Sequence, residues 1–356
     1  MRMKTVFNAI GIIAILLGLL LIAGVFFAID FDFSGLNSAQ YRRLVHLFGE
    51  EEFTQVEINT SFFDVKVYPL KEGEKPSVLL PQSENIKHNV TNENGRLSIA
   101  VVDDRAWYEK WSFGDVSGQN TVIEVYLPHA AYEELKILVS SGDVSVTGKE
   151  GEADLLSFNT VSVKTSSGGI AFHASVTGNL SLESSSGDVT VSGAQGATLG
   201  AETSSGDVAV RDCTLVGAWI TTSSGEVALS DLNVTGAKGM ELFVNVNSGD
   251  IEMRHIKANG VRVKVDTADV ALSDVLVAGE LRVEADTGEI EIARSDAGSL
   301  WIETDTGDVE IELLTGKIYS VEVDTGDVKY PEHDKNGGAC HVKTDTGDVE
   351  ITVLPQ

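Results

Sequence analysis

Asp305-Thr306-Gly307-Asp308-Val309 is the phrase on which the reading of this chain turns. Variants recur from Ser140-Ser141-Gly142-Asp143-Val144 to Asp345-Thr346-Gly347-Asp348-Val349. Counted by the central residue there are eleven copies, at 142, 168, 187, 206, 225, 249, 268, 288, 307, 326 and 347, and 19 residues is the commonest spacing. Self-similarity at a period of about twenty residues marks stacked supersecondary units, and it takes precedence over local propensity.

Alternating apolar pairs flank each phrase, as in Val189-x-Val191 and Ile290-x-Ile292 after it and Leu180-x-Leu182 and Leu300-x-Ile302 before it. Period-two alternation puts such side chains on one face of a strand. The expected fold is therefore all-β: a β-solenoid (parallel β-helix) of about eleven ~19-residue rungs over residues 140–356. Parity carried forward from Leu300 turns Thr304 and Thr306 inward, Glu303 and Asp305 outward, and the corner at Gly307-Asp308. Glycine suits a corner because it tolerates positive φ. Ala268 is the departure from the rule, and a strained corner there would be relieved by Ala268→Gly.

Of 356 residues, 54 are acidic and 26 are Lys or Arg, a formal charge of −28. From Asp266 to Gln356 there are 22 acidic and 6 basic residues, so much of that charge is local. Such a surface argues against nucleic acid and anionic lipid, which select basic patches. Cys213 and Cys340 lie six rungs apart, about 30 Å at a strand spacing of ~4.8 Å, and a disulfide needs Cα atoms within about 7 Å. The histidines show no metal-ligand spacing.

Arg2 and Lys4 precede an apolar run from Val6 to Ile29, long enough to span a bilayer. Without a good cleavage site it reads as an uncleaved signal-anchor, one transmembrane helix over 6–29. Basic residues before it and Asp30 and Asp32 after it put the N-terminus in the cytoplasm and the C-terminal domain outside. Residues 1–33 are then the cytoplasmic tip and anchor, and 34–52 a juxtamembrane spacer, helical around Tyr41–Phe48. Residues 53–139 carry strands without a clean period, including Val56-x-Ile58 and Val65-x-Val67, and read as an N-terminal β cap. Asn59-Thr60-Ser61-Phe62-Phe63-Asp64-Val65 is a degenerate phrase with Phe at its corner. The segment Asp103–Gln119 holds Trp107, Tyr108, Trp111 and Phe113, and more readily folds over a core edge than contacts a glycan or protein. The two long rungs place extra residues at Asp154–Thr160 and Thr235–Gly239.

An anchor, a strand-rich segment with Glu57-Ile58-Asn59-Thr60-Ser61 and Tyr126-Leu127-Pro128, and then Ser-Ser-Gly-Asp-Val and Asp-Thr-Gly-Asp-Val repeats together resemble the bacterial "putative adhesin" β-strand-repeat family. That family is a domain of unknown function found in envelope proteins, some encoded near envelope-stress regulators. The resemblance covers residues 53–356 and implies the architecture; it carries no catalytic residues across.

Two features invite a chemical reading. Asp266, Asp286, Asp305, Asp324 and Asp345 stack in one column, and Asp269, Glu289, Asp308, Asp327 and Asp348 in another. Carboxylates ~4.8 Å apart in water repel by only about 1 kcal/mol, so the columns stand without a metal, although calcium could occupy them. Ser141, Ser186, Ser205, Ser224, Thr287, Thr306, Thr325 and Thr346 form a hydroxyl column, read as an inward hydrogen-bonded ladder because nothing beside it supplies a base. No catalytic, cofactor-binding or metal-binding residue is assigned, and no cofactor is required. Short, even rungs leave little wall for the cleft of a carbohydrate-active enzyme. The expectation is a non-enzymatic, externally displayed envelope-binding protein, adhesin-like, with a monomeric ectodomain and an envelope protein or glycan as partner. A regulator of envelope-stress signalling is the alternative.

Overall fold

The computed structural model describes residues 41–48, 53–71, 73–104, 121–147, 156–236 and 241–355. The apolar run 6–29 and the aromatics Trp107, Tyr108, Trp111 and Phe113 lie outside these residues. Of the extra residues expected at Asp154–Thr160 and Thr235–Gly239, 154–155 and 237–239 also lie outside them, whereas residues 157–160 do not bulge but begin the strand Ser157–Thr165.

Alternation of the kind seen at Leu180-x-Leu182 gives strands whose inward side chains need cover above and below. The protein supplies it by laying each repeat on another in register. Val65, Val144, Ile170, Val189, Val208 and Val227 pair in one continuous column. Val161, Leu180, Leu199, Ala218, Leu242, Val261, Leu281 and Leu300 form a second. Among the described residues all twenty-eight strands join one sheet, mostly parallel, closed around a single apolar core. Each buried Val, Leu or Ile contributes about 1.5–3 kcal/mol, so the core rather than any local propensity holds the stack.

This corrects the expected β-solenoid of about eleven rungs behind a transmembrane helix. Among the described residues there is no helix, and none long and apolar enough to cross a membrane. Residues 42–47, expected as part of a helical spacer, form strand β1 (Arg42–Leu47). Residues 53–139 supply rungs of the same sheet as well as antiparallel strands that cover its N-terminal end. What replaces the expected solenoid is a closed, barrel-like wall whose ends are built out of sequence order.

At the N-terminal end, β2 (Gln55–Thr60) and β3 (Asp64–Pro69) make one rung. It lies between two others: β6 (Arg96–Asp103) with β7 (Val122–Leu127) on one side, and β8 (Ala131–Val139) with β9 (Val144–Thr147) on the other. The outer rung is then covered by antiparallel strands. β5 (Ile86–Glu93) pairs with β6 through a tight turn at Asn94-Gly95, both with positive φ. β4 (Ser77–Gln82) pairs with β7, and β1 with β4.

The C-terminal end repeats the exchange. The Gly347 rung, strands Ala339–Thr346 and Val349–Val353, sits directly on the Gly307 rung. The Gly326 rung, strands Ile318–Thr325 and Val328–Lys329, lies outermost. Val349 is accordingly 1% exposed, whereas Val328 in the same column is 44% exposed.

Candidate functional site

The corners concentrate the polar chemistry of the molecule, and the structure shows what they do. Inward parity stops at Thr304: Asp305 and Thr306 are both exposed, so the turn begins earlier than the alternation implies. The whole Ser/Thr column from Ser141 to Thr346 is exposed rather than inward. The inward hydroxyls stand two residues earlier. Thr165 donates to Gly142 O at 3.2 Å, Ser184 to Gly168 O at 2.9 Å, Thr203 to Gly187 O at 3.0 Å and Thr222 to Gly206 O at 3.2 Å. Each satisfies a buried corner carbonyl of the rung below, which otherwise would cost about 1–3 kcal/mol. Thr304 belongs to this column but its buried hydroxyl has no partner.

The aspartate after the corner glycine has an equally definite use. Asp64 Oδ1 accepts Asp143 N–H at 2.9 Å, Asp143 Oδ1 accepts Gly169 N–H at 2.9 Å, and Asp207 Oδ1 accepts Glu226 N–H at 2.8 Å. The relay continues from Asp250 to Asp269, Asp269 to Glu289, Asp308 to Asp348 and Asp348 to Asp327. One carboxylate therefore caps one backbone donor of the next rung, and the charge it carries strengthens that bond. Phe63-Asp64, the degenerate phrase, takes its place at the foot of the column. Among the described residues no group of three or more His, Cys, Asp or Glu side chains is placed to hold a metal.

Glycine at the corner is required by the stacking. A Cβ on Gly307 would lie 1.9 Å from Gly288 O, and one on Gly347 2.1 Å from Gly307 O. Gly307 also has φ +154 and Gly347 +151. Ala268 does not have positive φ, and the residue is buried in the core at 8% exposure.

Two further clusters were not visible in the repeat phrase. Six residues past the corner, Asp212, Asp231, His255, Asp274 and Arg294 each hold a left-handed conformation, φ 47–56. They carry side chains that bind along the stack. Arg294 donates to Asp274 at 3.1 and 2.8 Å, and His255 lies 3.4 Å from Asp231 and 3.8 Å from Asp274. The Arg294 guanidinium holds the Asp274 carboxyl below its ordinary value. The recurrence of Asp six residues after a corner glycine was the available signal.

The second cluster closes an open groove of about 580 Å³ beside the Thr235–Gly236 turn. Its floor is Lys317, only 4% exposed, whose Nζ donates to Ala297 O at 2.8 Å and Thr315 Oγ1 at 2.9 Å and lies 2.5 Å from Asp296 Oδ1. With all three donors engaged, this lysine locks the corner. Asn259 donates to Thr235 O and Gly236 O from the groove wall.

The family model described as Toastrack DUF4097 matches residues 53–239 and again 233–355. Solved structures similar to this protein include a "putative adhesin" from Bacteroides fragilis, at 10% identity and TM-score 0.33, with 89% of this chain and 98% of that one covered. A putative cell adhesion protein from Clostridium sporogenes is 12% identical, TM-score 0.19, covering 88% of this chain and 100% of that one. A putative adhesin from Parabacteroides merdae is 9% identical, TM-score 0.20, covering 88% and 97%. No curated protein matches the sequence.

Proposed function

Because the chain belongs to the Toastrack DUF4097 family, a domain of unknown function, we propose that it is a membrane-anchored envelope protein that acts by contact rather than by turnover. One observation carries this reading. Inward hydroxyls such as Thr203 and Thr222, and carboxylates after the corner glycines such as Asp207 and Asp308, are engaged with backbone carbonyl and amide groups of neighbouring rungs rather than with one another. What remains for a partner is the surface of a stiff stack. On this reading the N-terminus is cytoplasmic and the β body is displayed outside. The adhesin-like role follows from that display.

Membrane fractionation followed by protease on intact cells, stripped of any outer layer, tests the reading. The full-length protein is expected to partition with membranes and to lose residues beyond 33 to the protease. Protection of those residues, or a protein found in the soluble fraction, overturns it.

A further inference from the structure

We propose that the outermost rung, Ile318–Thr325 with Val328–Lys329, is a docking edge for an extended basic peptide strand with alternating apolar side chains. The two ends of the stack differ. The N-terminal end is covered by antiparallel strands β1, β4 and β5. At the other end, Ile318–Thr325 pairs with Ala339–Thr346 and Val328–Lys329 with Val349–Val353, and neither has a second strand partner among the described residues.

Backbone groups at this edge point outward. Ile318 N–H donates inward to Gly338 O at 2.9 Å, while Tyr319 N–H, facing the other way, donates to His333 Nδ1 at 3.0 Å. Direction alternates along a strand, so Val321 and Val323 present their N–H and C=O on the same side as Tyr319. An added strand pairs with these groups by β-augmentation.

The core is also unfinished there. Val321 and Val323 point inward yet are only partly buried, and Val328 is 44% exposed against 1% for Val349 and Val309. Ile318 and Tyr330 beside them are 49% and 44% exposed. Alternate apolar side chains on an incoming strand would cover the three valines.

The relay of aspartates ends in the same place. Asp327 N–H is taken by Asp348 Oδ1 at 2.8 Å, but Asp327 Oδ1 accepts no donor among the described residues. It stands where the next rung's N–H would arrive. Glu322, Asp324 and Asp327 are all exposed along this edge, with Asp345 and Asp348 one rung below. Two of the nearby lysines are committed, Lys329 to Glu350 and Lys317 to Asp296, which leaves Lys335 in the 330–338 connection as the exposed cation beside these carboxylates. The field therefore favours Lys or Arg on the incoming strand and repels a second copy of the same edge.

This proposal takes only its distal orientation from the contact reading, and its test does not need the membrane. Full-length protein purified in detergent is titrated into a fluorescein-labelled decapeptide of alternating Val and Lys, followed by fluorescence anisotropy. A Val/Glu decapeptide and a Val/Lys decapeptide with a central Pro serve as comparisons. Saturable binding of the Val/Lys peptide alone is expected. Asp324→Asn with Asp327→Asn should weaken it at least about tenfold, whereas Asp266→Asn with Asp286→Asn, far down the stack, should not. Val323→Pro removes an outward N–H while leaving the inward bonds in place; it should abolish binding while the melting temperature shows a folded protein. Equal loss in both aspartate pairs, binding that survives Val323→Pro, or a wild-type protein that dimerises through this edge overturns the proposal.

Discussion

Thr222 and Thr304 occupy the same column with opposite outcomes, and that contrast makes the hydroxyl relay testable. Thr222 donates to Gly206 O, while Thr304 donates to nothing. Val246 follows Thr222 in the column and is fully buried, so valine fits there. Thr222→Val should therefore cost about 1 kcal/mol and Thr304→Val should gain a similar amount, read from urea midpoints. At the corner, Gly307→Ala should lose more than about 1 kcal/mol, since its Cβ meets a carbonyl and its φ is positive. The strain expected at Ala268 is absent, so the sign reverses: Ala268→Gly should lose about 0.5–1 kcal/mol through added conformational entropy of the unfolded state. The phrase was legible as a corner because glycine recurs there. Which hydroxyl turns inward was not, since alternation through Leu300 and Ile302 breaks at Thr306, before the glycine that announces the turn.

Pairs of elements carry the next set of consequences. Cys213 and Cys340 are both free and buried, as their separation along the repeats implied. Burial pushes the Cys213 thiol up to about 11 and the Cys340 thiol up to about 12. Neither should react with a thiol-exchange reagent at neutral pH until the stack opens, and both should react in denaturant. A fast native reaction would mean that a rung opens locally. In the left-handed column, the folded-state Asp274 carboxyl is depressed by Arg294, so its stabilising contribution is present above the ordinary aspartate value. It fades as pH falls through the folded value. Arg294→Ala should therefore lower the urea midpoint at neutral pH and leave it little changed at the acid end. This column, like the Lys317–Asp296 closure, is not legible in the repeat because no single residue type recurs at it. Its partners lie six residues on, at positions that vary between Asp, His and Arg.

At the scale of the whole molecule, the period of about twenty residues made the all-β stack legible, together with its in-register columns and its acidic face. The order of the rungs could not be read, because every repeat offers the same edge and the choice of neighbour lies in connections such as 330–338. Self-association should accordingly be governed by the Gly326 rung rather than the Gly347 rung. Neutralising Glu322, Asp324 and Asp327 together should promote association measured by light scattering, and neutralising Asp345, Asp348 and Glu350 should do so less. Exposed carboxylates are expected to keep the wild-type protein monomeric at low salt. Chelation should leave the melting temperature unchanged, since the second carboxylate column is engaged with backbone donors. The exchange of rungs at both ends also bears on mechanics. Tension arriving at Val353 meets a strand clamped between the Gly307 and Gly326 rungs, and tension arriving at Gln55 meets one clamped between β6 and β8. At Gln55 two ladders must rupture together, whereas residues 351–353 are held by one ladder and the second is met only at Glu350, so the two ends of the stack should yield to force differently.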